Sequence, residues 1–179
     1  ELVIGKISRG LQGIGVGPCS CVQEGRQLRR GHRRPAELPV LQVLMHAHAG
    51  QPDWRISLIE AIRKKTAFLQ HARGKLKLNN IEVLCERVEN AAVQQPAQFD
   101  AVISRAFTNL ARFLDLSLPF LKPDGLVFAM KAKRADEEMQ EVSKADWRLV
   151  ADEPLHIPNL AVDRRLLVLA PVRKSSLTF

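Results

Sequence analysis

Short apolar runs alternate with helical patterns throughout residues 51–179, and this alternation constrains the fold more than any other feature. Strands are predicted at residues 56–59, 81–85, 99–104 and 126–130. Ile62, Leu69 and Leu76 recur at intervals of seven, which predicts the apolar stripe of a helix after the first strand. Parallel strands joined through helices follow right-handed crossovers, so the pattern predicts an α/β fold with a mostly parallel, twisted sheet.

The remaining elements complete this prediction. The polar stretch after Val88, which contains Pro96, is interpreted as a connection, and a helix is predicted at residues 109–121 before a proline and glycine turn at residues 122–125. An acidic helix is predicted at residues 135–144. The last two strands, at residues 147–150 and 165–170, have little helical pattern between them, which favours an antiparallel pair at the end of the chain.

Composition limits the class of protein. With 179 residues and 46% apolar content, the chain can form one domain with a substantial core. Its net charge of +8 favours a polyanionic partner such as RNA or DNA, although many soluble domains are basic without binding one. The three cysteines give no disulfide framework, and no apolar run has the length of a membrane span, so we expect a cytoplasmic protein without a membrane partner.

Residues 1–50 differ in composition from the rest. They hold eight of the ten glycines and a cluster of arginines, and only residues 38–45 form an apolar run. We therefore expect an irregular, atypical segment before a domain at residues 51–179. Our hypothesis is that this segment is disordered, translated from a shifted reading frame, or otherwise foreign to the domain.

Glu60 is the main candidate for chemistry because it directly follows the first strand of the domain. A carboxylate at the carboxyl end of a parallel strand can accept hydrogen bonds from both hydroxyls of a nucleoside ribose. The alternative is an exposed acid at a helix start, where the helix dipole favours negative charge.

Two further candidates follow later strands. Residues 86–90 come after the second strand and can run along an adenine ring, or they are an ordinary charged loop. Arg105 follows the third strand, where its guanidinium can meet a carboxylate or a phosphate, or it is a surface arginine.

Two weaker signals lie in the first 50 residues. Cys19 and Cys21, together with His46 and His48, offer four zinc-binding side chains, but their spacings are not those of usual zinc sites, so no metal is expected. Residues 13–17 contain three glycines, yet a phosphate loop also needs a preceding strand and a following helix, which the pattern does not indicate.

Several of these segments together resemble one family. The resemblance is carried above all by residues 99–107, which end in Ile-Ser-Arg-Ala-Phe. It is also carried by residues 53–60, the basic residues at 63–65 and residues 87–89. The family is the bacterial small-subunit ribosomal RNA methyltransferase G family, also called the glucose-inhibited division protein B family. Residues 163–169 resemble its final strand. The resemblance covers about residues 52–172.

The resemblance implies a class I, Rossmann-like methyltransferase that uses S-adenosyl-L-methionine to modify N7 of a guanine in 16S ribosomal RNA. By position, Glu60 would hold the ribose, Val88 and Glu89 would lie at the adenine, and Arg105 would belong to the cofactor site. Lys131 matches a lysine of the family, although Ala132 replaces the glycine that usually follows it.

The implied partner is 16S ribosomal RNA or the small-subunit particle. Basic residues expected to contact RNA phosphates are Arg63, Lys64, Lys131 and Lys133. Guanine N7 presents a lone pair and needs no general base, so the implied reaction depends on orientation and no catalytic residue is nominated.

The chain departs from the family at the glycine-rich loop, which should lie just upstream of Pro52. Residues 38–50 hold a single glycine there. We therefore expect an incomplete methyltransferase domain whose activity is impaired. The alternatives are a non-catalytic, basic RNA-binding domain and, ranked last, a nicotinamide-dependent oxidoreductase, for which the sequence has no proper Gly-x-Gly-x-x-Gly loop.

Overall fold

The computed structural model describes residues 2–7, 54–105, 108–132, 134–155 and 164–172. Its strands are β1 (Leu2–Ile7), β2 (Trp54–Ile59), β3 (Ile81–Leu84), β4 (Phe99–Arg105), β5 (Leu121–Lys131), β6 (Trp147–Pro154) and β7 (Arg165–Pro171). Its helices are α1 (Arg63–Lys75), α2 (Val88–Gln94), α3 (Leu110–Ser117) and α4 (Ala135–Gln140), with one 3-10 turn at Leu118–Phe120.

The described strands form one sheet in the order β3-β2-β1-β4-β5-β7-β6. β2 pairs with β3 and β4 pairs with β5 in parallel, whereas β1 and β7 run against their neighbours. Five of these seven strands therefore point the same way. The predicted α/β fold is confirmed, and so is the antiparallel pairing of the last two strands.

β1 corrects the prediction that the first 50 residues are irregular throughout. Leu2–Ile7 lies between β2 and β4 and pairs antiparallel with both, with Leu2 opposite Ile59 and Ser104, and Ile7 opposite Trp54. Val3, Ile4 and Ile7 are β-branched residues that favour a strand. The run is short and interrupted by Gly5 and Lys6, and its strand conformation depends on hydrogen bonds to two distant strands, which the sequence pattern does not reveal.

α1 packs on one face of the sheet through the middle of the predicted stripe, at Leu69, and not through its two ends. Ile62 and Leu76 lie at the two ends of the helix and are exposed, while Thr66, Leu69 and Ala72 are buried. The helix needs only one narrow apolar side here because it covers an edge of the sheet. Leu69 joins a small core cluster, completed by Ile56, Leu58, Leu78 and Ile81.

The opposite face carries the larger core. Ile59 points to this side, since side chains alternate along a strand. Phe113 and Leu114 of α3 are almost fully buried here, as is Phe120, whose ring meets that of Phe99 edge-on at 6.1 Å. This cluster is the main hydrophobic core of the described chain.

Two predicted boundaries change. Val88–Gln94 is a helix, although its polar composition and the nearby proline predict a connection. It packs against the main core through the buried side chains of Val88 and Ala91. The helix predicted at residues 109–121 is present as α3 and the 3-10 turn, and the Asn109 side chain caps it by accepting a hydrogen bond from Arg112 N at 2.9 Å.

The turn predicted at residues 122–125 forms an irregularity inside β5. Phe99 pairs with Leu121 but Ala101 pairs with Leu126, so residues 122–125 stand opposite a single residue of β4. Lys122 Nζ donates to both carboxylate oxygens of Asp100 at 2.8 Å, across this bulge. A Cβ at Gly125 would lie 2.8 Å from Leu121 Cδ2 and 3.1 Å from Lys122 O, so a side chain there would require Leu121 to move.

Several predictions concern residues outside the described ranges. They are the apolar run at 38–45, the glycines at 13–17 and the four possible zinc ligands Cys19, Cys21, His46 and His48. Among the described residues, no three or more His, Cys, Asp or Glu side chains group as metal ligands. No helix in the described part of the chain is both long and apolar enough to cross a membrane.

Candidate functional site

The carboxyl ends of β2, β3, β4 and β5 meet at one edge of the sheet, which we call the carboxyl edge. Ile59 pairs with Leu84, and Arg105 pairs with Met130, next to the last residue of β5. Because Leu2 pairs with both Ile59 and Ser104, the backbones of β2 and β4 end about 9–10 Å apart, two strand spacings. Crevices at this edge are where open α/β sheets bind ligands.

Glu60 lies at this edge, directly after β2, and is only 5% exposed. Its backbone N–H donates to Leu84 O at 3.1 Å, and its Oε1 accepts a hydrogen bond from Ile62 N at 2.8 Å. Its Oε2 is buried and accepts no hydrogen bond from any described residue, although Lys65 Nζ lies 3.4 Å away as an ion-pair partner. A buried carboxylate oxygen without a donor is costly, so this atom is suited to a ligand hydroxyl.

The backbone around Glu60 is fixed by the start of α1. Thr66 Oγ1 is buried and can donate a hydrogen bond to Glu60 O, at 3.1 Å, or to Ile62 O, at 3.3 Å. Ile62 is the residue before the helix, and the Glu60 carboxylate accepts a hydrogen bond from its backbone N–H. The turn that carries Glu60 is therefore held in place before any ligand arrives.

The two residues predicted at an adenine begin α2, after β3. Val88 is buried in the main core, whereas Glu89 is exposed and its Oε1 lies 3.5 Å from Arg112 Nη2 on α3. The side chain of Val88 is therefore unavailable to a ligand, whereas that of Glu89 is exposed. Arg105 ends β4 at the same edge; its side chain lies outside what the structure describes.

The residues predicted to contact RNA are not all alike. Arg63 and Lys64 are exposed in the first turn of α1, three and four residues after Glu60. Lys131 is mostly covered, and its Nζ donates to Thr108 O at 2.8 Å and to Glu138 Oε2 at 2.7 Å. Lys133 lies outside the described residues. Contact of these four side chains with RNA stays a prediction.

Glu138 is a residue of this edge that the sequence pattern did not single out. Its Oε2 also accepts a hydrogen bond from Leu110 N at 2.6 Å, so one carboxylate joins β5, α4 and the first turn of α3. The negative charge also suits the N-terminus of α3. Glu138 is one of several acids in a short acidic helix, and nothing in its sequence position distinguishes it.

A second ion-pair group fastens α4 to the last two strands. Arg165 donates to both carboxylate oxygens of Asp152 on β6 and, through Nη1, to Asp136 Oδ1 on α4 at 2.6 Å. Hydrogen bonds to these two carboxylates raise the pKa of Arg165 above its ordinary value. Its guanidinium therefore stays charged, and α4 is held down at both Asp136 and Glu138.

Comparison with known proteins decides the family. The family described as rRNA small subunit methyltransferase G, GidB, matches residues 47–168. The chain belongs to this family. A ribosomal RNA small subunit methyltransferase G from Polynucleobacter asymbioticus is 83% identical over 124 residues, which cover 69% of this chain and 56% of the relative.

Other relatives of this family agree. The protein of the same name from Bordetella avium is 40% identical over 117 residues, covering 65% of this chain and 50% of that protein. The chain thus spans about half the length of these curated relatives. Among solved structures, TrmN from Thermus thermophilus superposes with a TM-score of 0.55 at 17% identity, over 73% of this chain and 40% of that one, which supports the class I methyltransferase fold.

Proposed function

We propose that the GidB-family part of this chain, residues 51–179, is the methyltransferase domain of an enzyme that uses S-adenosyl-L-methionine to methylate N7 of a guanine in 16S ribosomal RNA. One observation carries the proposal: the fixed, buried carboxylate of Glu60 at the carboxyl edge, whose Oε2 has no hydrogen-bond donor among the described residues. Membership of the methyltransferase G family supports the reaction.

Glu60 is proposed to accept hydrogen bonds from the ribose hydroxyls of the cofactor. Its Oε1 is already engaged by Ile62 N, which leaves Oε2 for the ligand. Val88 and Glu89, one strand further along the edge, are proposed to lie at the adenine, and Arg105, at the end of β4, to complete the cofactor site. The residues present therefore fit the nucleoside half of the cofactor.

S-adenosyl-L-methionine supplies an electrophilic methyl group when it is bound. Guanine N7 already presents a lone pair, so the chain needs no side chain to remove a proton from it. The contribution of the protein is to hold the reactants in line and to exclude water, which is an effect of proximity and orientation. The rigid turn at Glu60 is suited to such positioning.

The proposed partner is 16S ribosomal RNA, either free or within the small-subunit particle in the cytoplasm. The net charge of +8 supports attraction to a polyanion. Arg63 and Lys64 are exposed beside Glu60 and are proposed to contact phosphates, together with Lys131 and Lys133. For Lys131 this contact requires that its ammonium either breaks its ion pair with Glu138 or contacts the phosphate while it stays paired.

Residues 1–50 are proposed to be foreign to the methyltransferase domain. The family match begins at residue 47 and the chain lacks a glycine-rich loop before Pro52, both of which support this boundary. The proposed consequence is an incomplete domain with impaired methyl transfer. Sequencing the coding DNA tests the origin of the segment. A glycine-rich loop encoded in another reading frame would support a frameshift. An uninterrupted frame with no such loop in any other frame would exclude a frameshift.

A chimera tests the function. Residues 1–50 are replaced by the segment that precedes the matched region in the Polynucleobacter asymbioticus relative, and transfer of a radiolabelled methyl group to unmodified 16S ribosomal RNA is measured. We expect the chimera to methylate guanine N7 and a Glu60→Gln chimera to lose most of the activity. An inert chimera beside an active relative would overturn the proposal.

A non-catalytic, basic RNA-binding domain is the second candidate. The reversed direction of β1 favours it, because the C-terminal end of this strand lies at the edge of the sheet opposite to Glu60. Calorimetry distinguishes the two: RNA binding without any heat from S-adenosyl-L-methionine at high concentration supports the second candidate.

A further inference from the structure

The start of α3 is fastened at the carboxyl edge by two charged side chains from later in the chain. Lys131 Nζ, at the end of β5, donates to Thr108 O at 2.8 Å, and Glu138 Oε2, on α4, accepts from Leu110 N at 2.6 Å. The two side chains also pair with each other, with 2.7 Å between Nζ and Oε2. The Lys131 ammonium is therefore held between a carbonyl and a carboxylate.

Lys131 lies at some distance from the proposed nucleoside site on the same edge. In the sheet order, β5 is three strands away from β2, so the strand ends that carry Lys131 and Glu60 are about 14–15 Å apart. The second reactant, the RNA, has to reach the cofactor along this edge, where open α/β sheets bind their ligands. This position makes Lys131 a contact for the RNA rather than for the ribose.

The ion pair is harder to break than a new surface contact is favourable. The Lys131 and Glu138 side chains are 11% and 18% exposed, so separation would leave a mostly covered carboxylate with Leu110 N as its one described donor. Breaking a covered pair costs a factor of about ten or more, whereas an ion pair on the open surface contributes at most about fivefold. An RNA phosphate therefore does not draw Lys131 out of the pair.

We infer that Lys131 contacts the RNA while it stays paired, and that Glu138 is the residue that positions it. Two N–H groups of the ammonium go to Thr108 O and Glu138 Oε2, and the third serves an acceptor atom of the RNA. Because the carboxylate compensates the charge, this contact is a directed hydrogen bond that neutralises no phosphate. The inference rests on the proposed RNA substrate and selects one of the two ways in which Lys131 can meet it.

The salt dependence of binding to 16S ribosomal RNA tests this on the full chain, because its slope reports the number of phosphates neutralised. Glu138→Gln keeps an oxygen for Leu110 N but removes the compensating charge, so the slope of log affinity against log salt concentration should steepen by about 0.7–0.9. Lys131→Met combined with Glu138→Gln keeps the net charge of the pair at zero. This double variant should retain the original slope and bind about tenfold more weakly at every salt concentration.

The opposite pattern would overturn the inference. If Lys131 leaves the pair to neutralise a phosphate, Glu138→Gln should not change the slope, and the double variant should lower it by about 0.7–0.9. Variants that both bind like the unmodified chain would show that Lys131 does not meet the RNA. A purely structural role of Glu138 would not steepen the slope, and circular dichroism verifies that each variant is folded at the temperature of the titration.

Lys122 and Asp100 form a matched control pair near the start of β5, at the edge of the sheet opposite to the carboxyl edge. Lys122 Nζ lies 2.8 Å from each carboxylate oxygen of Asp100. Asp100→Asn, alone or with Lys122→Met, should leave the slope and the affinity unchanged. An equal steepening in Asp100→Asn would reveal a general effect of net charge and contradict the inference. A complete lack of RNA binding by the unmodified chain would instead contradict the proposed function.

Discussion

The ammonium of Lys131 and the carboxylate of Glu138 form a mostly covered ion pair, 2.7 Å between Nζ and Oε2, at the carboxyl edge of the sheet. The same oxygen accepts a hydrogen bond from Leu110 N, and the same nitrogen donates to Thr108 O. Two side chains thereby connect the end of β5, the start of α3 and α4. Their energetic coupling should exceed that of ion pairs on the open surface.

Lys131→Met is expected to lower the free energy of unfolding by about 1–3 kcal/mol, because Glu138 keeps its charge in a covered position with only one donor left. Urea unfolding of Lys131→Met, Glu138→Gln and the double variant measures the coupling. Arg134 and Glu137 are the matched control: they form an exposed pair on the same helix, and removing it should leave the urea midpoint unchanged. Equal effects at both pairs would contradict the prediction.

Glu60→Gln is expected to weaken adenosine binding by about 10- to 100-fold, since a neutral amide accepts hydrogen bonds from ribose hydroxyls less strongly than a carboxylate. The fold should be retained because the amide oxygen can still accept from Ile62 N. Calorimetry with adenosine measures the loss. Glu82→Gln, an exposed change of the same chemistry on β3, should bind adenosine like the unmodified chain; similar losses in both variants would argue against a ribose contact at Glu60.

Arg63→Gln combined with Lys64→Gln is expected to reduce the salt dependence of binding to 16S ribosomal RNA. Each phosphate contact that is lost should lower the slope of log affinity against log salt concentration by about 0.7–0.9. Lys144→Gln is the control, since Lys144 is exposed and precedes β6, whose first residue lies at the edge of the sheet opposite to the carboxyl edge. A double variant with the slope of the unmodified chain would show that α1 does not face the RNA.

Phe120→Ala is expected to destabilise the chain by about 3–5 kcal/mol, because this fully buried ring fills the main core against Phe99. Leu118→Ala, two residues away in the same 3-10 turn, removes a side chain that is 49% exposed and should cost less than about 1 kcal/mol. Thermal unfolding compares the two. A small effect at Phe120 would mean that the core lies elsewhere.

Local pattern was sufficient to predict six of the seven described strands and the position of Glu60, because each strand is a short apolar run and the acid directly follows one of them. It failed where long-range pairing decides the conformation. β1 is a strand because β2 and β4 both have unpaired backbone groups beside it, and Glu138 matters because folding brings it to Leu110, 28 residues earlier in sequence. For α1 the pattern identified Leu69 as buried but wrongly included Ile62 and Leu76, which flank the helix and are exposed.

The central strand has a further consequence for the solubility of the protein. Leu2–Ile7 is the only described strand that connects β2 and β3 to the remaining four, and its backbone satisfies the N–H and C=O groups of both neighbours. Without it the described sheet would divide into a two-stranded and a four-stranded piece, with the unpaired backbones of β2 and β4 at their margins. Such margins can recruit strands from other molecules, so we expect Leu2–Ile7 to protect the sheet from aggregation whatever the origin of this strand.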